Sequence, residues 1–468
     1  MDPRWSPHNT HRDDASRFAT RDPTLRQLAK QPLVYRPAVL DQLPLHAPGI
    51  YTVCGGRQVG KTTLLKQLMV LLLGRHVAPD RITYVTGELF HDAEDFRRTL
   101  TDAASAGDTR PLNYILVDEV TYIPGWDRVV KFLADAGILE RVFLLLTGSD
   151  LILIQDAMQR LPGRRGRARR VDFHHHPLDF LEFCRLRAHV PDRALESLSA
   201  GPPDAELAPT DEAVLDLLER EYRLYHTTGG YLTAINDHER DAAIAVATMR
   251  TYTDWIRGDV LRQGRSETYL REVLGAVSKR YGSQITWNAL ARDLSIDHPK
   301  TVAEYCQLLE RMDAVKIIPA LEEHSLTAAP KKARKLYFSD PFIHRCVDAY
   351  LNDFEGVGLA IAGELADVDL AREAEATVLT HLARSIPTFY IKAAGEVDAV
   401  YVRQRRLYPI EVKWTRELRP KDLKQISKYR HALIAAHVRE AHRIDHVVVL
   451  PAPVVLLRIA RMSQEIGR

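Results

Sequence analysis

The chain has 468 residues, of which 46% are hydrophobic and 27% charged, with a formal net charge of +2. Such a length holds roughly two to four domains, and the near-neutral balance excludes a chain that is basic throughout, leaving any nucleic-acid contact to a local face. Cys54, Cys184, Cys306 and Cys346 are scattered without metal-ligand spacing, which excludes a disulfide framework and fits the reduced thiols of a cytoplasmic protein.

Residues 1–24 are polar, rich in Arg, Asp and His, and lack the apolar core of a secretion signal. They are expected to be a disordered tail. The run Leu64–Leu73 is interrupted by Lys66 and Gln67 and is too short to span a bilayer, so no membrane partner is expected. From Ile50 to Asp150 short apolar runs alternate with helical stretches. Ile50–Cys54, Ile82–Val85, Tyr114–Val117 and Val142–Leu146 read as buried strands of a parallel sheet covered by helices. Residues 25–190 are therefore expected to form one α/β domain. Residues 191–265 are expected to be a linker, opening with the Pro/Ala/Asp-rich stretch 190–212, and then helices.

Within the first domain, Gly55-Gly56-Arg57-Gln58-Val59-Gly60-Lys61-Thr62-Thr63 fits G-x-x-x-x-G-K-[ST], between a strand and an amphipathic helix. Gly55 and Gly60 let the backbone wrap phosphates with its N–H groups inward, and the helix N-terminus favours the anionic charge. Lys61 is expected to reach the β- and γ-phosphates of ATP, and the Thr62 hydroxyl to ligate Mg2+. Tyr114–Glu119 is an apolar strand ending in two acids. Asp118 is expected to hold magnesium through water, and Glu119 to polarise the attacking water. Leu144–Ser149 ends in small polar residues; in the additional-strand class of P-loop ATPases, Thr147 or Ser149 would sense the γ-phosphate.

Five arginines fall within residues 164–170. Arg164 and Arg165 are candidates for an arginine that speeds hydrolysis, in cis or from a neighbour in an oligomer. A solvated basic loop or a DNA-backbone contact explains the cluster equally well. The three consecutive histidines His174–His176 alternate between faces of an extended segment and so cannot converge on one ion.

Further along, Thr268–Tyr281, Trp287–Leu294 and Lys300–Met312 read as helices, followed by strands Val315–Pro319 and Lys335–Phe338. The break between the second and third helices makes a helix-turn-helix, and the strands make it winged, over residues 266–345. Lys300 and Thr301 open the third helix, the end that such helices insert into the major groove of DNA. Glu304, Glu310 and Asp313 on the same stretch fit a docked protein instead. Residues 346–468 read as a small α/β domain: a helix Ala362–Ser385, strands Thr388–Ile391, Val397–Val402 and Leu407–Val412, a basic helix Pro420–Ala436, and a strand Val447–Leu450. Lys421, Lys424, Lys428 and Arg430 would line the polar face of that basic helix, with Tyr429 among them.

The segments GGRQVGKTTL, YILVDEV, LLLTGS, LPGRRGR with HPLDFLEF, TGGYLTAI, WIRGDVLR, KLYFSDP and GEVDAVY with IEVKW resemble the prokaryotic AAA+-like ATPases whose C-terminal half is a domain of unknown function. The similarity covers nearly all of residues 30–455. It implies an ASCE-type, AAA+-like ATPase module, a winged helix, and a C-terminal domain similar to the restriction-endonuclease-like PD-(D/E)xK fold. The chain departs from the family at Glu375-Ala376-Thr377-Val378, where Glu-Asn-x-Val is usual.

Asp398 followed by Glu411-Val412-Lys413 fits a metal-dependent nuclease core, and Glu375 on the preceding helix would complete it. Residues two apart on a strand share a face, so Glu411 and Lys413 point together. Asp398 and Glu411 could hold a second metal ion and Lys413 could orient water. The same fold also occurs without catalysis. Two readings follow: an ATPase that acts on DNA through the winged helix and the C-terminal domain, or an ATP-dependent switch with an inert C-terminal domain and a protein partner.

Overall fold

The computed structural model describes residues 2–105, 111–207, 210–355, 367–393 and 395–466. The chain divides into two units, Met1–His176 and Pro177–Arg468. No described helix is long and apolar enough to cross a membrane.

The first unit is built on five parallel strands: β1 (Gly49–Cys54), β2 (Ile82–Thr86), β3 (Asn113–Asp118), β4 (Val142–Gly148) and β5 (Asp172–His174). Their order is β2-β3-β4-β1-β5, so β4 lies between the strand that leads into the glycine loop and the strand that carries the two acids. Strands buried on both faces need apolar residues at odd and even positions alike. Here Tyr51, Val53, Leu116 and Leu145 pack with Leu64, Leu68 and Leu72 of the helix Lys61–Gly74. Ile50, Ile115, Val117 and Leu144 pack on the other face with Phe96 and Leu100 of the helix Ala93–Ala104 and with Val130 and Leu133 of the helix Trp126–Asp135. β5 is too short, with three residues, to be recognised in the Arg- and His-rich sequence around it.

The expected disordered tail is instead packed structure. Trp5, His11 and Phe18 are buried, and the edge strand β2 explains why. Its outward backbone groups need partners. The Asn9 side-chain amide both donates to the Tyr84 carbonyl and accepts from the Tyr84 N–H, each at 2.8 Å.

In the second unit, helices Glu267–Lys279, Trp287–Arg292 and Pro299–Arg311 precede β6 (Val315–Pro319), the hairpin β7 (Leu321–Glu322) and β8 (Thr327–Ala328), and β9 (Arg334–Phe338). β6 and β9 pair antiparallel. The C-terminal sheet comprises β10 (Thr388–Lys392), β11 (Glu396–Arg403), β12 (Arg406–Lys413), β13 (Leu433–Ala436), β14 (His442–Ile444) and β15 (Val447–Pro451), ordered β10-β11-β12-β13-β15-β14. Helices Asp367–Ala383 and Ala452–Ile466 pack on each other and against this sheet. The expected helix Ala362–Ser385 thus begins, as described, at Asp367; residues 362–366 lie outside the described residues.

Two expectations fail in this unit. The basic helix Pro420–Ala436 is only a turn of helix at Pro420–Leu423 and a 3-10 turn at Ile426–Lys428. Its apolar end becomes β13, wholly buried between parallel neighbours β12 and β15. A four-residue apolar run carries no period that separates strand from helix, and the flanking strands decide. The stretch 190–212 is largely ordered rather than a linker: Asp192–Ser199 is helical. Arg458 of the C-terminal helix, 2% exposed, donates to the carbonyls of Leu198, Pro203, Ala205 and Glu206. The motif Pro177–Phe183, expected to close the first domain, falls in the second unit.

Candidate nucleotide site and a second carboxylate cluster

β1 delivers the chain into the loop Gly55–Gly60, and the loop turns into a helix at Lys61. Gly60 and Gln58 take left-handed backbone angles, φ 96° and 61°, and at Gly60 glycine removes the steric cost. A side chain at Gly55 would collide with the His175 carbonyl, so glycine is required there by close approach. Lys61 is buried and its ammonium donates to the carbonyls of Gly55 and Gly56 at 3.0 and 2.9 Å. The same nitrogen lies 3.3 Å from a Glu119 carboxylate oxygen. Arg57 leaves the loop to donate to the Tyr122 hydroxyl at 2.8 Å. Val59 and Thr63 complete the loop and the first helical turn.

The two acids end β3 and are held by different partners. Thr62 donates to Asp118 Oδ2 at 2.6 Å, Tyr84 to the same oxygen at 2.9 Å, and Thr147 to Asp118 Oδ1 at 2.6 Å. Glu119, in a left-handed conformation with φ 49°, turns away from the strand. Its N–H donates to Thr147 Oγ1, and its carboxylate accepts from the Ser149 N–H and hydroxyl at 3.2 and 3.1 Å. Thr147 is wholly buried, so both hydroxyls expected to sense phosphate are here engaged in fixing the acids. Thr62 and Asp118 together present hard oxygen donors of the kind magnesium takes.

His175 and Tyr84 are site residues that the sequence did not reveal. His175 donates its N–H to the Cys54 carbonyl at 2.7 Å and lies buried beneath the loop. Burial, and then the charge of Lys61, push its imidazole down to about 4, so it is neutral. His174 and His176 stack on each other with ring centroids 3.7 Å apart, the alternation expected of three consecutive residues.

Arg164 and Arg165 lie away from this site. The loop that carries them bridges Gly166 to Gly49 at the start of β1, and the Ile50 N–H donates to the Arg165 carbonyl. The glycine loop begins at the other end of the strand, roughly 16 Å away at about 3.3 Å per residue. Arg164 pairs with Asp135, and Arg165 grips Asp172 with two contacts of 2.6 Å. Their described ion pairs are thus with Asp135 and Asp172, not with the glycine loop or the two acids that end β3.

In the second unit the register places Ala399 opposite Ile410, and so Asp398 opposite Glu411. Lys413 bridges the two acids, 2.7 Å from Glu411 and 3.5 Å from Asp398. Asp398 also accepts from the Val412 N–H at 2.9 Å. Glu411 is buried with its Oε2 unpartnered, and burial, then the Asp398 charge, push its carboxyl up to about 7. Glu375 is held by two residues of β9 that sequence reasoning missed: Lys335 at 2.8 Å and the Tyr337 hydroxyl at 2.6 Å. Burial, then Asp398, raises Glu375 too. Lys335, almost wholly buried, also pairs with Glu396.

Residues 47–184 match the family described as AAA domain. Residues 219–353 and 373–454 match two domains of unknown function, DUF8612 and DUF4143. By these matches the chain carries an AAA-type P-loop domain and, downstream, a domain of the DUF4143 type. An uncharacterized protein of Haemophilus influenzae is 27% identical over 143 residues, 30% of this chain; the chain spans 34% of the length of that curated relative. Among solved structures, the Walker-type ATPase PABY2304 of Pyrococcus abyssi is 14% identical, with a TM-score of 0.39 over 64% of this chain and 91% of that one. The Aeropyrum pernix ORC1 protein in complex with DNA is 14% identical, with a TM-score of 0.32 over 73% and 94% of the two chains. A RuvB variant of Thermotoga maritima is 16% identical, with a TM-score of 0.27 over 58% and 82%.

Proposed function

We propose that the chain binds and hydrolyses ATP, and that turnover serves an action on duplex DNA. The observation that carries the first part is the meeting of Thr62 with Asp118 at 2.6 Å and of Lys61 with Glu119 at 3.3 Å. In this reading Lys61 draws the β- and γ-phosphates, the Gly55–Gly60 backbone cradles them, and Glu119 orients the attacking water and takes its proton. Magnesium, when bound with ATP, supplies the positive charge that offsets the developing charge on the phosphates; Thr62 and Asp118 are the residues that would hold it.

The second part rests on the segment 266–345, read as a winged helix. Lys300 is exposed at the opening of the helix Pro299–Arg311, where a cation meets phosphates and base edges. The test is ATP turnover with and without duplex DNA, together with DNA binding across a salt series. Stimulated turnover, and affinity that falls with salt and with Lys300→Glu, support the reading. Turnover indifferent to DNA and no binding at low salt overturn it.

One observation favours a second reading for the C-terminal domain, taken as nuclease-like. Each acid of the expected core already has a lysine: Lys335 on Glu375, and Lys413 between Asp398 and Glu411. An ion bridging Asp398 and Glu411 would have to displace the Lys413 ammonium. This supports a domain that binds rather than cuts, and with it a switch read by a protein partner.

A further inference from the structure

Asp118, the acid that would hold magnesium, is linked through two buried side chains to residues 8–22. Tyr84 is the nearer link. Its hydroxyl donates to Asp118 Oδ2, the oxygen that also accepts from Thr62. The Lys66 ammonium lies 3.9 Å from the centroid of the Tyr84 ring. Lys66 is 2% exposed, and its charge is met by Asp22 at 3.1 Å and the His8 carbonyl at 2.8 Å. Asp22 is equally buried. The backbone of Tyr84 is clamped as well, by the paired hydrogen bonds of Asn9.

This arrangement is more than packing. An apolar side chain at 66 would fill the space without the cost of burying a charge, and a buried ion pair is a poor means of adding stability. What the pair does achieve is to fix a cation under the Tyr84 ring, where its attraction to the ring face holds that ring in place. Thr62 has one hydroxyl proton and is itself expected to ligate the ion. Tyr84 has no such duty and remains the donor on Oδ2, as Thr147 is on Oδ1, so the two together orient the carboxylate.

We propose that residues 2–24 are a positioning clamp for Asp118, acting through Asn9, Lys66 and Tyr84 to set the affinity of the site for magnesium. Tyr84 is a positioning residue in this scheme, and the inference rests on the reading of the site as one for Mg-ATP.

The test is the affinity of the full chain for a fluorescent ATP analogue (mant-ATP), measured in magnesium and again in EDTA. Groups that orient metal ligands change metal affinity by about 10- to 100-fold when removed. Tyr84→Phe is expected to weaken binding in magnesium by about ten-fold and to leave binding in EDTA unchanged. Asp22→Asn is expected to do the same to a smaller degree, and the double variant to be no worse than Tyr84→Phe alone, because both act along one path. Should Asp22→Asn fail to fold, Asp22→Leu with Lys66→Met removes both charges together and takes its place. Unchanged magnesium dependence, or an equal loss in both media, overturns the clamp. Wild-type protein that binds the analogue in neither medium overturns the nucleotide reading itself, a result distinct from either of these.

Discussion

His175 carries a cost that is visible from outside the molecule. Unfolded, its imidazole takes a proton below about 6.5; folded, it resists until about 4. The unfolded state therefore binds more protons in that window, so this contribution is intact above pH 6.5 and is lost as pH falls towards 4. A shift of that size corresponds to about 3 kcal/mol. His175→Gln should remove up to that amount from the stability difference between pH 7 and pH 4, read as urea midpoints, while His11, lowered in the same way, keeps its own share. An unchanged pH profile would mean that the imidazole takes up its proton alike in the folded and unfolded states. The residues of the loop were legible because phosphate chemistry demands glycine, lysine and a hydroxyl at fixed spacing. His175 and Tyr84 were not, because their roles depend on β5 and β2 lying where they do in the sheet. No local pattern states the strand order.

At the scale of elements, the errors of sequence reading share a cause. Polar composition suggested a tail at 1–24 and a linker at 190–212, yet both stretches are fixed by groups far away in sequence: the Lys66 side chain and the Tyr84 backbone for the first, the Arg458 side chain for the second. β13 was concealed for the opposite reason, since Leu433–Ala436 is apolar but too short to display a period. The long strands β1, β3 and β4, buried on both faces, were read correctly from continuous apolar runs. Arg458 gives the element-scale prediction. Arg458→Met keeps the bulk but orphans four carbonyls, so it should cost about 2–4 kcal/mol. It should also expose the region around residues 198–206 to proteolysis. A variant with wild-type stability and wild-type protease resistance would show that the segment holds without this anchor.

For the molecule as a whole, the question is what the C-terminal domain contributes beside the proposed ATP site. The carboxylate cluster was legible in part: Asp398, Glu411 and Lys413 come together, whereas Lys335 and Tyr337 arrive from β9, whose approach no motif announces. With both lysines seated on the acids, calorimetric titration of the full chain with Mn2+ is expected to show no binding to Asp398 and Glu411. A Mn2+ site that vanishes in Asp398→Ala, with DNA cleavage vanishing alongside it and in Lys413→Ala, would contradict this and make the cluster a metal centre.

The central claim is hydrolysis of ATP at the Lys61–Glu119 site, and phosphate release by wild type and Glu119→Gln, with ATP affinity measured on the same preparations, tests it most directly. Wild type should turn over in magnesium. Glu119→Gln should bind ATP as well as wild type and release phosphate at least about 100-fold more slowly, the scale of a lost general base. Equal rates in the two proteins, or a wild type that releases no phosphate, would contradict the account.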